Sequence, residues 1–398
     1  MKERLVGNVL YGQSGGPTSI INTSAYGLFK ETFKHQEIKK VYATNFGIKG
    51  ILNDSLREIK NNPNLKNLMN TPGAFYGSNR YKLKKYEEDP SIYELILKTF
   101  EKHNIRYFFY NGGNDSMDTI RKISDYFRLI NYKCNCIGII KTIDNDLVST
   151  DFCLGYPTSA KFIINSVIEI TLDDLSYEEG RVNIIETMGR NEGWLAASSK
   201  LASLKGLEPD LIYIPEVSFD KNDFLNRVKD IYEKKKHCVV VISEGIKDKD
   251  GRFISEMVKK DDGFGHNQLG GASIKLASLV TRTLGFKTRY FELSLLQRAN
   301  SLCVSKVEQK IALKLSKFAF KSAFNGKNNL CVTINRITGS PYKYNFKLVP
   351  ISEIANKEQS LPIKYINRDG CGINDSFIDY LAPLIDQEKG LLNIYKER

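Results

Sequence analysis

Two short polar turns carry the residues best suited to chemistry. The turn 141–146 reads Lys141, Thr142, Ile143, Asp144, Asn145, Asp146 and follows the apolar, β-prone run 136–140. A hydroxyl is a poor nucleophile until a base accepts its proton, and a transferring phosphoryl group needs cations to offset its charge. Asp144 fits the base and Lys141 the cation, while Asp146 fits a group that orients an alcohol or a metal-bound water. The turn 111–116 reads Asn111, Gly112, Gly113, Asn114, Asp115, Ser116. Paired glycines let backbone amides close on an anion, and a helix start adds unpaired N–H groups and a positive dipole end. This second turn is suited to phosphate, the first to proton transfer.

The elements that must hold these turns are legible around them. The run 105–110 is aromatic and β-prone, and Met117, Ile120, Ile123 and Phe127 recur at helical spacing. Strand, glycine turn, helix and the strand 136–140 make one β-α-β unit, which predicts that the two turns lie side by side at its carboxyl edge. Taken singly, each turn also fits a structural role: Gly-Gly-Asn-Asp is an ordinary Asx-type turn, and Thr-Ile-Asp-Asn-Asp can cap a helix.

Together the turns resemble the phosphofructokinase family, and within it the pyrophosphate-dependent branch. The resemblance runs through nearly the whole chain. ATP-dependent members carry a Gly-Gly-Asp-Gly-Ser turn and a Gly before Thr-Ile-Asp-Asn-Asp; pyrophosphate users have Asp and Lys at the two variable places, as Asp115 and Lys141 stand here. An aspartate would fill and repel the place of a nucleotide's innermost phosphate, and the added lysine compensates pyrophosphate charge. Asn114 departs from the Asp of many members; its amide oxygen remains a direct or water-mediated contact to Mg²⁺, weaker than a carboxylate.

The resemblance implies two doubly wound, Rossmann-like α/β domains with the active site in the cleft between them. It also assigns residues along the chain. The turn 12–19 is a second anion turn at a helix start, with Gly15 and Gly16 in the phosphoryl-donor pocket beside Gly113 and Asp115. Arg80, in a Gly-Ser-x-Arg segment, would brace the transferring phosphate. Met188, Gly189 and Arg190 match the turn that holds the sugar, and Glu244 the acceptor of a sugar hydroxyl. Arg289 and Arg298 match the arginines on the sugar's terminal phosphate, and Arg181 the arginine that reaches into a neighbouring subunit's site. Leu295 stands where several ATP-dependent relatives have a His, with His266 a candidate substitute.

The activity so implied is Mg²⁺-dependent, reversible phosphoryl transfer from pyrophosphate to the 1-hydroxyl of fructose 6-phosphate, a step of glycolysis and gluconeogenesis. Asp144, Lys141, Thr142 and Asp146 would form the catalytic turn, with Thr142 also on the substrate. A shared Arg181 makes a homo-oligomer, at least a dimer, the expectation. An ATP-dependent phosphofructokinase and a non-catalytic sugar-phosphate sensor on the same fold remain the alternatives.

Composition narrows the class. A chain of 398 residues exceeds one ordinary core and predicts two domains. The pattern places them at 1–147 plus about 265–305 for the phosphoryl donor and 148–264 plus about 306–398 for the sugar phosphate. The net charge of +12 is spread over scattered lysines, without a basic-aromatic stripe, which reads as a solvated surface and not as a nucleic-acid interface. Seven cysteines lie mostly in apolar runs and read as buried thiols. The first residues hold too short an apolar run for a signal peptide and no later stretch spans a membrane, so a cytoplasmic protein is expected. The spacing further predicts a helix over 195–204, an amphipathic helix with Phe224, Val228 and Ile231 on one face, a loop or short hairpin over 247–263, and Trp194 packed against a sheet.

Overall fold

The structure is a computed structural model that describes residues 4–255, 258–261, 267–268 and 270–386. The chain forms two compact units, Met1–Gly155 with Lys306–Glu358, and Tyr156–Ser305 with Gln359–Arg398.

The first unit is built on a seven-stranded sheet. Its spatial order is Lys343–Pro350, Leu330–Thr338, Asn135–Ile140, Ile105–Gly112, Asn8–Gln13, Val41–Thr44, Leu56–Glu58. The central strands pair in parallel and the two edge strands are antiparallel. A parallel strand is covered on both faces, so its sequence is apolar throughout rather than alternating. Tyr107, Phe108, Phe109 and Tyr110 are accordingly all buried. The helix Asn114–Leu129 follows with Met117, Ile120, Ile123 and Phe127 buried on one face, as their spacing predicts.

The second unit holds a four-stranded parallel sheet in the order Thr288–Glu292, Val182–Thr187, Cys238–Ser243, Leu211–Tyr213. Phe224 and Val228 of the helix Lys221–Lys235 are buried against it and Ile231 packs at the margin. Asp220 starts that helix, its carboxylate accepting from Asn222 N at 2.8 Å and Asp223 N at 2.9 Å, where the first-turn amides have no helical partner. Val258–Asp261, inside the span 247–263 expected as a loop or short hairpin, pairs antiparallel with Asn267–Gln268 beyond it.

Three expectations are corrected. Segment 265–305 belongs with the second unit and 306–358 with the first, because Thr288–Glu292 hydrogen-bonds to Val182–Thr187 whereas Leu330–Thr338 hydrogen-bonds to Asn135–Ile140. Periodicity identifies a strand; its partner is chosen by distant register. The first unit also runs past 147 to Gly155, tied back by a bridge between Thr142 and Gly155. The helix expected over 195–204 is α-helical only over Trp194–Ser198 and tightens to a 3-10 helix over Ser199–Lys205. Trp194 joins an aromatic cluster, 6.1 Å from the Tyr156 ring centroid and 5.4 Å from that of Tyr380. Six of the seven cysteines are buried and Cys303 is half-buried. Among the described residues no helix is long and apolar enough to cross a membrane.

Candidate active site

In the first unit, three turns emerge at the carboxyl ends of neighbouring parallel strands and are bonded into one surface. Ser14 N donates to Asn111 O at 3.0 Å, and Lys141 N donates to Gly112 O at 3.0 Å. The Lys141 side chain, 3 % exposed, then crosses to the first turn, where Nζ donates to Gly16 O at 2.6 Å. Gly15 permits this approach: its φ is +76°, and a Cβ there would lie 3.3 Å from Nζ. The segment carrying Arg80 is hooked to the same turn, with Ser78 Oγ donating to Gly15 O at 2.5 Å and Ser14 Oγ to Asn79 O at 3.3 Å. Arg80 itself is exposed.

Gly113 precedes the helix Asn114–Leu129, so Asp115 lies in its first turn beside the positive dipole end. The Gly112 requirement is space, since a Cβ would overlap the Ser116 hydroxyl. Asn114 has its amide turned to the later chain: Nδ2 donates to Lys357 O at 3.2 Å, and the amide oxygen accepts from Asn356 N. One lone pair of that oxygen is thereby used, which leaves it a poorer cation ligand than the carboxylates of the turn 141–146.

The turn 141–146 is internally braced. Thr142 Oγ1 donates to Asp144 Oδ2 at 3.3 Å and accepts from Asp144 N at 3.1 Å. Asn145 adopts φ +58° with its side-chain oxygen accepting from Cys153 N at 2.8 Å, which fixes a tight bend between Asp144 and Asp146. Asp146 Oδ1 is buried and has no hydrogen-bond partner among the described residues. Burial, then the charges of Asp144 and Glu358, push the Asp146 carboxyl up to about 7. A bare carboxylate oxygen held in that surrounding calls for a proton or a cation.

The second unit builds its turn from Val182–Thr187. Gly189 has φ +128°, and a Cβ would meet Glu192 O at 2.6 Å and Ser243 Oγ at 2.8 Å. Glu244 N donates to Thr187 O at 2.9 Å, and Glu244 Oε1 accepts from Gly189 N at 3.4 Å, so the Met188–Arg190 turn and Glu244 form one edge. Gln297 brings Arg298 to that edge, its Oε1 accepting from Met188 N at 3.1 Å. Arg298 is half-buried, whereas Arg289 is exposed on the edge strand Thr288–Glu292. The Arg190 guanidinium stands 5.8 Å from the Phe253 ring centroid and that of Arg181 5.0 Å from the Tyr177 centroid.

Two glycine-lined anion turns, a lysine between them and a carboxylate pair at one sheet edge suit phosphoryl transfer. Residues 8–320 match the family described as phosphofructokinase. The chain belongs to the phosphofructokinase family. It is 40 % identical over 391 residues to the pyrophosphate--fructose 6-phosphate 1-phosphotransferase of Xanthomonas campestris pv. campestris, covering 97 % of this chain and 93 % of that one. The protein of the same name from Halomonas elongata is 38 % identical over 387 residues, 96 % of this chain and 92 % of its own. Among solved structures, the pyrophosphate-dependent phosphofructokinase of Marinobacter aquaeolei superposes with a TM-score of 0.86 at 37 % identity, over 96 % of this chain and 93 % of that one.

Within this phosphofructokinase fold, sequence reasoning missed Glu358, Asn356 and Gln297. The first two follow the last strand of their unit by a few residues and carry no motif, and Gln297 was visible only as the neighbour of Arg298. His266 lies outside the described residues. Leu295 is 56 % exposed.

Proposed function

We propose that this protein transfers phosphoryl reversibly from pyrophosphate to the 1-hydroxyl of fructose 6-phosphate. The relatives' names support the substrate pair, and the observation that carries the donor reading is Lys141 planted on the Gly15-Gly16 turn with Asp115 in the first turn of the adjoining helix. A cation and an anion so placed favour a small, highly charged donor over a nucleotide.

Asp144 accepts the proton of the 1-hydroxyl as that oxygen bonds to phosphorus. The anhydride P–O bond breaks, and phosphate leaves with the electron pair. Lys141, Arg80 and the amides around Gly15, Gly16 and Gly113 hold the donor oxygens. Met188, Gly189, Arg190 and Glu244 hold the sugar, and Arg289, Arg298 and a neighbouring subunit's Arg181 its 6-phosphate, so the working unit is at least a dimer.

The residues present fit a divalent cation of the Mg²⁺ type. Asp146 offers a buried, unsatisfied oxygen next to a second carboxylate, and Mg²⁺ binds through one or two carboxylates completed by substrate phosphates. Bound there, the ion would draw charge from the donor; Asp146 would be its chief protein ligand, with Asn114 contributing through water. A cytoplasmic location goes with these substrates.

The test is initial rate with fructose 6-phosphate and Mg²⁺, pyrophosphate or ATP supplied in parallel, for the native chain and Asp115→Gly. Turnover with pyrophosphate, weakened in preference by the substitution, is expected. Turnover with ATP alone would overturn the donor reading, and binding of sugar phosphate without turnover would favour a sensor.

A further inference from the structure

The second unit contains a buried side-chain cluster that the chemistry above leaves unused, directly beneath Arg181. Asp174 is the last residue of the helix Tyr156–Asp174, and its side chain is 3 % exposed. Its carboxylate reaches across the seven-residue return of the chain: Oδ1 accepts from Arg181 N at 3.0 Å, Oδ2 from the same amide at 3.3 Å. Oδ2 also lies 2.7 Å from His237 Nδ1. An ionised carboxylate only accepts, so the ring nitrogen is the donor.

The return is closed on its other sides as well. Gly180 N donates to Lys236 O at 3.1 Å, and Tyr232 Oη donates to Gly180 O at 3.1 Å. A Cβ at Gly180 would overlap both the His237 ring and the Asp174 carboxylate, so the backbone is pressed onto the pair. The Arg181 carbonyl accepts from Cys238 N at 3.1 Å. Both backbone polar groups of Arg181 are thus fixed, one by a charge and one by the sheet, while its guanidinium leaves over the Tyr177 ring. Burying a carboxylate costs several kcal/mol unless donors satisfy it, and here the donors are the arginine's own amide and a histidine that immediately precedes the neighbouring strand Cys238–Ser243.

We infer that Asp174 and His237 are positioning residues for Arg181, setting the launch point of the side chain that reaches the neighbouring copy's sugar phosphate. The inference rests on the role proposed above for Arg181. A guanidinium that must meet a phosphate from another chain is effective only from a fixed Cα, and a displacement near 1 Å costs about a hundredfold in a well-aligned site.

The test compares His237→Leu, which removes the donor, with His237→Asn, whose amide nitrogen can stand where Nδ1 stood, in the full-length enzyme. His237→Leu is expected to raise KM for fructose 6-phosphate about tenfold while kcat and KM for pyrophosphate stay within about twofold, the pattern of lost uniform binding. His237→Asn should restore most of the loss, and His237→Leu should add nothing in an Arg181→Ala background. Should the leucine variant fail to fold, Asp174→Asn reads the same split. Parallel changes in kcat and both KM values would overturn the inference, as would an unchanged KM for fructose 6-phosphate where Arg181→Ala alone raises it. An Arg181→Ala enzyme with native KM would instead remove the role of Arg181 itself, and the clasp with it.

Discussion

Lys141 Nζ and Gly16 O stand 2.6 Å apart, so the cation of the base turn is held by the backbone of the donor turn. The bond ties the two turns together and places the ammonium against the donor turn. Lys141→Met should therefore lower kcat/KM for pyrophosphate by about a hundredfold or more, with KM for fructose 6-phosphate nearly unchanged. Steady-state kinetics with each substrate varied checks the split.

Asp144 is braced by Thr142 on one carboxylate oxygen. Asp144→Ser keeps a small polar group and removes the base. Turnover should fall by roughly a hundredfold or more without loss of fructose 6-phosphate binding. A variant that retained native turnover would take the proton-accepting role away from Asp144.

Asp146 links the site to pH. Its carboxyl is pushed up to about 7 by burial and by the charges of Asp144 and Glu358. The folded chain then holds a proton that the unfolded chain releases in the ordinary aspartate range. That contribution to stability is fully present at acid pH and is lost as pH rises through about 7. In chelator, the native chain should lose stability relative to Asp146→Asn between pH 5 and 8, by up to about 1.4 kcal/mol per unit. Urea titrations of both proteins across that range measure it; equal slopes would rule it out.

Gly189 has no room for a side chain. Its φ of +128° and the 2.6 Å approach of Glu192 O predict that Gly189→Ala costs about 1–3 kcal/mol. Because Gly189 N faces Glu244, the same change should raise KM for fructose 6-phosphate more than it alters pyrophosphate binding. Denaturation midpoints together with the two KM values separate these effects.

The strength of each sequence reading follows the range of the forces involved. The strand, turn and helix around 105–129 were legible because apolar spacing and glycine chemistry act over a few residues. The juxtaposition of Gly112 with Lys141 followed from the handedness of one β-α-β unit. The partners of Thr288–Glu292 and Leu330–Thr338 did not, since either strand satisfies its local pattern beside any parallel neighbour. Glu358 and Asn356 were silent for a related reason: they act on Asp146 and Asn114 from more than 200 positions away, through one charge and one backbone amide. The 3-10 turn at Ser199–Lys205 had a weaker cue, a run of small and polar residues that packs as well in either helix.

The interrupted first unit has a consequence for how the protein is made. Its strand Asn135–Ile140 waits for Leu330–Thr338, and Asp146 for Glu358, while the whole of 156–305 is synthesised in between. At ~5–20 residues per second that interval lasts roughly 8 to 30 s. Throughout it the nascent chain presents an unpaired strand edge that is apolar from Cys136 to Ile140, the kind of surface that invites pairing with other chains. The ribosome thus releases the base turn before Glu358 and the strand Leu330–Thr338 exist, and a chaperone that shields that edge would govern how much of the newly made protein reaches the active form.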